Sequence, residues 1–206
     1  MMQNLNPSNQ IDVSASNKPV ISACNLNHYF GDGELRKQVL FEINLDINPG
    51  EIVIMTGPSG SGKTTLLTLM GGLRSAQSGS LKILEQEICG ASKQQMMYLR
   101  RQIGYIFQAH NLLTFLTAKQ NVRMSLELHD DRLARALVSR PKIILADEPT
   151  AALDKKSGRD VVEMMQKLAK QQGCTILLVT HDNRILDIAD RIVLMEDGRL
   201  TKDNAL

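Results

Sequence analysis

Gly57-Pro58-Ser59-Gly60-Ser61-Gly62-Lys63-Thr64 fits the pattern G-x-x-x-x-G-K-[ST], and its setting decides the fold. Before it, Glu51–Thr56 is a short apolar run; after it, Thr64–Gly72 carries Leu66, Leu67, Leu69 and Met70 at helical spacing. A strand, a glycine-rich turn and a helix in that order let successive backbone N–H groups curl inward around a polyphosphate. The helix starts at the loop, so its partially positive end faces the anion. Lys63 is then placed to reach the β- and γ-phosphates and the Thr64 hydroxyl to ligate Mg²⁺. Gly57 through Thr65 form the candidate phosphate contacts.

Further along, Lys142-Ile143-Ile144-Leu145-Ala146 is a strand-like run that ends in Asp147-Glu148. In an open α/β sheet, ligands sit beyond the carboxyl ends of strands, so these two acids belong near the loop. Asp147 is suited to hold Mg²⁺, and Glu148 to take a proton from an attacking water.

The rest of the chain alternates strand and helix patterns. Strands are predicted at Val20–Leu26, Val39–Ile47, Ser80–Leu84, Ile103–Phe107, Cys174–Thr180 and Arg191–Glu196, the last turned by Asp197-Gly198. Helices are predicted at Ser92–Arg100 with Ser92 as N-cap, Thr117–Leu128, Arg132–Ser139, Lys155–Gln171 and Arg184–Ala189. In Lys155–Gln171, Val161, Met165 and Leu168 fall on one face. This order means α/β with a mostly parallel core sheet, and antiparallel pieces before residue 50 and after residue 190 at its edges. Residues 1–18, rich in Asn and Ser, read as a disordered tail ahead of one domain over 19–206.

Composition narrows the function classes. The 206 residues are 43% hydrophobic and 22% charged, enough for a sizeable core without disulfides. With 24 basic and 22 acidic residues the net charge is +2, too small to argue for a nucleic-acid partner. Cys24, Cys89 and Cys174 are isolated, which predicts reduced, buried thiols in a cytosolic protein. Neither a membrane-span-length apolar run nor a signal-peptide start is present, so service at a membrane would go through a partner.

Leu145-Ala146-Asp147-Glu148-Pro149-Thr150-Ala151-Ala152-Leu153-Asp154 resembles the Walker B and D-loop run of ABC-transporter ATPases. Leu178-Val179-Thr180-His181-Asp182 is similar to that family's switch-histidine segment, Ile106-Phe107-Gln108 to its Q-loop and Gly57–Thr64 to its Walker A. The resemblance runs from residue 20 to about 201, and Gly71-Gly72-Leu73 with Ala146–Thr150 resembles the branch of lipoprotein-release, macrolide-export and heterocyst-type exporter ATPases. It implies a P-loop NTPase fold with a helical subdomain, ATP and Mg²⁺ as ligands, and an ATPase homodimer. It also implies a transmembrane permease partner and a place on the inner face of the plasma membrane. By the same resemblance, Gln108 would contact Mg²⁺ or the attacking water, His181 would hold the γ-phosphate, and Tyr29 would stack on adenine. Core packing for Tyr29 and loop roles for Gln108 and His181 are the alternatives.

One family element is missing. Between Gln108 and Asp147 lie 38 residues, with no run like the Leu-Ser-Gly-Gly-Gln signature. Ala134-Arg135-Ala136-Leu137, similar to the end of the signature helix, follows Leu128-His129-Asp130-Asp131 abruptly. This predicts a helical subdomain shortened to about 109–140 and a dimer that closes poorly. Two functions follow as expectations: the ATP-hydrolysing subunit of a bacterial ABC exporter, or a nucleotide-binding remnant or regulatory module defective in hydrolysis. Readings outside transport fit less well. DNA-repair relatives carry a long coiled coil, translation relatives two cassettes, and GTPases an Asn-Lys-x-Asp run; none occurs here.

Overall fold

The computed structural model describes residues 18–107, 141–151 and 153–205. Two sheets share one core. The first holds β1 (Ile21–Phe30), β2 (Lys37–Ile47), β4 (Ser78–Ile83) and β5 (Gln86–Glu87), antiparallel in the order β2-β1-β4-β5. The second has six strands in the order β10-β9-β3-β8-β7-β6. These are β3 (Ile52–Thr56), β6 (Ile103–Ile106), β7 (Ile143–Asp147), β8 (Thr175–Val179), β9 (Arg191–Glu196) and β10 (Arg199–Ala205). All its pairings are parallel except β9 with β10. The helices are α1 (Lys63–Met70), α2 (Lys93–Arg100) and α3 (Lys155–Gln172), with a 3₁₀ turn at Asn183–Ile188.

The central strands β3, β7 and β8 read as apolar runs because both faces are buried, and their two-residue period divides each run between two clusters. Val53 and Met55, Ile143 and Leu145, and Leu177 and Val179 face the antiparallel sheet and α1. Ile52 and Ile54, Ile144 and Ala146, and Ile176 and Leu178 face α3 and the 3₁₀ turn.

Helix starts follow local chemistry. Ser92 caps α2 as predicted, in a reciprocal box: Gln95 N–H donates to Ser92 Oγ at 3.3 Å and Ser92 N–H to Gln95 Oε1 at 2.8 Å. Asp154 caps α3, accepting from the N–H groups of Lys156 and Ser157 and from the Ser157 hydroxyl. The Ser157 hydroxyl, then its N–H, holds the Asp154 carboxyl below the usual range.

Several expectations need correcting. The strands before residue 50 do not edge the parallel sheet; they pair with β4 in a sheet of their own. The antiparallel piece expected after residue 190 does lie at the edge of the parallel sheet: β9 runs parallel to β3 and β10, to which no range was assigned from the sequence, pairs antiparallel with β9. On α3, Met165 is buried as expected, with Gly158, Val162 and Ala169 beside it, while the predicted Val161 and Leu168 are only partly buried and pack against the same cluster. Of the cysteines, Cys174 is buried, Cys89 half-buried and Cys24 exposed. The tail to residue 17, Gln108, the helices predicted at Thr117–Leu128 and Arg132–Ser139, and the region 109–140 lie outside the described residues. Lys18, placed at the tail's end, pairs with Glu85 at 2.9 Å.

Candidate functional site

The loop from Gly57 to Gly62 joins β3 to α1 on the carboxyl rim of the parallel sheet, beside the ends of β7 and β8. A cavity of about 280 Å³ opens there. Of the predicted residues, Ser59, Gly60, Gly62, Lys63, Thr64, Thr65, Asp147, Glu148 and His181 line it. Gly57, Pro58 and Ser61 are not among the lining residues.

Gly57 has to be glycine. Its φ is +137°, and a Cβ there would lie 2.0 Å from the Met195 carbonyl oxygen. Lys63 is buried in the loop. Its Nζ donates to the carbonyls of Gly57 at 2.8 Å and Pro58 at 2.7 Å and to Ser61 Oγ at 3.3 Å. Burial lowers its pKa, and the charges of Glu148 and Asp147 partly offset that.

The two acids have distinct surroundings. Asp147 ends β7, opposite Val179, and is buried; among the described residues no group donates a hydrogen bond to its carboxylate. Its charge reaches Tyr105 on β6, whose hydroxyl pKa is raised first by burial and then by Asp147. Glu148 turns out of the strand at φ +48°, an uncommon region for a side-chain-bearing residue. Its N–H donates to the Val179 carbonyl at 2.9 Å, and Ala151 N–H donates to its own carbonyl at 3.2 Å. On its carboxylate, Oε2 accepts from Thr180 Oγ1 at 3.2 Å and from His181 N–H at 3.4 Å. Oε1 is buried and, among the described residues, accepts no hydrogen bond; His181 Nε2 stands 3.4 Å from it without hydrogen-bond geometry. Among the described residues, Glu148 is thus held through one oxygen only.

Thr180 is a part the sequence reasoning missed. It is fully buried, and its Oγ1 accepts from Asp182 N–H at 3.0 Å. The hydroxyl has one proton, so that proton is directed to Glu148. Its position next to His181 was the available signal.

The aromatic end of the cavity is built by β1 and β2. Tyr29 does not line the cavity; the Arg36 guanidinium covers its ring at 4.0 Å, and its N–H donates to Gln77 Oε1 at 2.8 Å. Phe30 and Val39 line the cavity instead. Neighbouring side chains on a strand point to opposite faces, so Phe30 shares a side with buried His28 rather than with Tyr29. The Phe30 ring meets His28 edge-on at 5.1 Å and carries the Arg74 guanidinium at 4.9 Å. Among the described residues neither ring nitrogen of His28 has a partner, and burial, then Arg74, lowers its pKa.

The residues present fit a nucleotide with Mg²⁺: a loop whose Gly60 and Gly62 line the cavity, a buried lysine and, among the described residues, an Asp147 carboxylate with no donor and a Glu148 oxygen with no hydrogen-bond partner. Among the described residues no three His, Cys, Asp or Glu side chains converge on a metal position. One hydroxyl and one carboxylate suit a cation that arrives already bound to phosphates.

Fold and site together define a phosphate-loop nucleotide-binding α/β protein. A family model described as "ABC transporter" matches residues 40–132. The lipoprotein-releasing system ATP-binding protein LolD 2 of Rhodospirillum rubrum is 36% identical, over 88% of this chain and 96% of that protein. The macrolide export ATP-binding/permease protein MacB of Aggregatibacter actinomycetemcomitans is 38% identical over 89% of this chain, which spans 34% of that protein's length. Among solved structures, the ATP-binding cassette MJ0796, dimeric and bound to ADP and Pi, superposes with a TM-score of 0.79 at 30% identity, covering 90% of this chain and 98% of that one. The chain belongs to the ABC-transporter ATP-binding family. The LolD 2 alignment runs over 221 positions, while 88% of 206 residues is about 181, so about 40 of its positions have no residue in this chain.

Proposed function

We propose that this chain binds Mg-ATP as the energy-coupling subunit of a bacterial exporter and acts through a membrane permease. One observation carries the reading: a single cavity is lined at once by Lys63 and Thr64, by Asp147 and Glu148, and by His181. The names of two relatives support the setting, one a lipoprotein-releasing ATP-binding protein and the other joining ATP binding to a permease. Among the described residues no helix is long and apolar enough to cross a membrane. In this reading the chain sits on the inner face of the plasma membrane, held there by the permease.

In this reading the loop N–H groups and Lys63 bind the β- and γ-phosphates, and Thr64 and Asp147 hold Mg²⁺. Mg²⁺ bound there neutralises charge on the phosphate oxygens. Glu148 Oε1 takes the proton of the attacking water, and His181 orients that water or the γ-phosphate. Phe30, not Tyr29, offers its face to the base. Gln108 contacts Mg²⁺ or the water and relays nucleotide state to the permease. Residues 19–206 are one ATP-binding domain behind a tail to residue 18, with a shortened helical part at about 109–140.

A second reading has its own observation. The span between Gln108 and Asp147 holds 38 residues and no signature-like run, and the LolD 2 alignment leaves about 40 positions unfilled. If the shortfall lies in that span, each site of a dimer lacks the donors the opposite subunit aims at the γ-phosphate. Losing one such donor costs ~10²–10³ in rate. Binding without efficient turnover is then the function, and the homodimer closes poorly.

Calorimetric ATP binding and phosphate release, measured on the same purified chain, test both readings. Binding with turnover near a signature-bearing relative's supports the first; binding with turnover at least a hundredfold lower supports the second. No ATP binding contradicts both.

A further inference from the structure

The phosphate loop is backed by the turn that closes β9 onto β10. Asp197 and Gly198 both have positive φ, at +45° and +76°, as a two-residue hairpin turn requires. Gly198 N–H donates to the Ser61 carbonyl at 2.9 Å, and the Gly198 carbonyl accepts from Phe41 N–H at 2.9 Å. The turn therefore joins the loop to β2, which carries Val39 on the cavity wall. Nothing larger than glycine fits: a Cβ at 198 would lie 2.3 Å from the Val39 carbonyl oxygen.

A trans peptide points its C=O and N–H in opposite directions. Pulling the Ser61 carbonyl back toward the turn therefore turns the Gly62 N–H the other way, and Gly62 lines the cavity. We propose that Gly198 is a positioning residue for phosphate binding, its N–H fixing the Ser61–Gly62 peptide so that the Gly62 N–H points at the anion. The inference rests on the reading of this cavity as the ATP site. Gly198 touches no ligand in this account; it works through Ser61.

The test replaces the 198 amide by an ester in the full-length chain, with glycolic acid in place of Gly198 introduced by ligating a synthetic C-terminal peptide. The ester removes the N–H and adds no side chain. The comparison is the same ligated chain with glycine. ATP and inorganic tripolyphosphate should both bind about three- to tenfold more weakly to the ester, by the same factor. Gly198→Ala, made genetically, should weaken both at least as much because its Cβ displaces the turn. An ester chain that melts at lower temperature yet binds both ligands as the glycine chain does overturns the proposal and leaves a purely structural turn. A glycine chain that binds neither ligand overturns the ATP-site reading and this proposal with it.

Discussion

The phosphate end of the cavity and its aromatic end are built by different sheets and specified in different ways. At the phosphate end, Lys63 and Thr64 follow the loop directly in sequence, and Asp147 and Glu148 sit where a parallel strand runs out. Strands flanked by parallel neighbours have little freedom of register, so the end of β7 lies beside the loop once β8 and β3 are in place. At the aromatic end, one ring on β1 meets the cavity, and β1 shifts register against β2 between Ala23 and Leu26, Leu26 and His28, and His28 and Tyr29. Each irregularity changes which side chain faces inward. The lesson is that a contiguous motif carries its own geometry, whereas a lone aromatic depends on the parity of a strand.

The largest test bears on the phosphate end. Glu148→Gln keeps the shape of the side chain but cannot take a proton, so turnover should fall ~10²–10⁴-fold while ATP still binds. A variant as fast as its parent would detach the chemistry from this carboxylate. Next, Thr180→Val removes the hydroxyl that holds Oε2; turnover should drop about tenfold at unchanged ATP affinity, and Thr180→Ser should restore it. Equal losses in the valine and serine variants would make packing the cause.

The aromatic end is tested by a pair. Phe30→Ala should weaken ATP binding about five- to tenfold, in line with the worth of a stacked ring, and Tyr29→Ala by less than about twofold. The reverse order would return the base contact to Tyr29. The smallest effect concerns His28 behind Phe30. Its folded-state pKa is lowered by burial and by Arg74, so below the ordinary value of 6.5 the unfolded chain takes up a proton that the folded chain refuses. Stability should therefore fall as pH drops through 6.5 toward the folded-state value. In thermal melts between about pH 7.5 and 5.5, His28→Leu should lose less than the parent; parallel losses would remove His28 from the acid response.

The parallel strands were legible because burial on both faces writes them as apolar runs. β10 was not: Arg199-Leu200-Thr201-Lys202-Asp203-Asn204-Ala205 is polar because it is an exposed edge that owes its strand form to pairing with β9. On α3 the buried Met165 was legible, but Gly158 and Ala169 were not, because residues that small add little to an apolar stripe, and Val161 and Leu168 flank the buried face. In the site, the loop, Asp147-Glu148 and His181 could be read from local sequence. Thr180 and Gly198 act through contacts with segments 32 and 137 residues away, at Glu148 and Ser61, and Phe30 meets the Arg74 guanidinium 44 residues away. No spacing rule reaches that far.

The central claim is that Gly57–Thr64 with Lys63 forms the anchor for ATP. Calorimetric titration of Mg-ATP into the parent chain and into Lys63→Ala tests it most directly. Removing a charge-assisted contact of ~1.5–3 kcal/mol predicts roughly ten- to hundredfold weaker binding by the variant. Equal affinities would contradict the account.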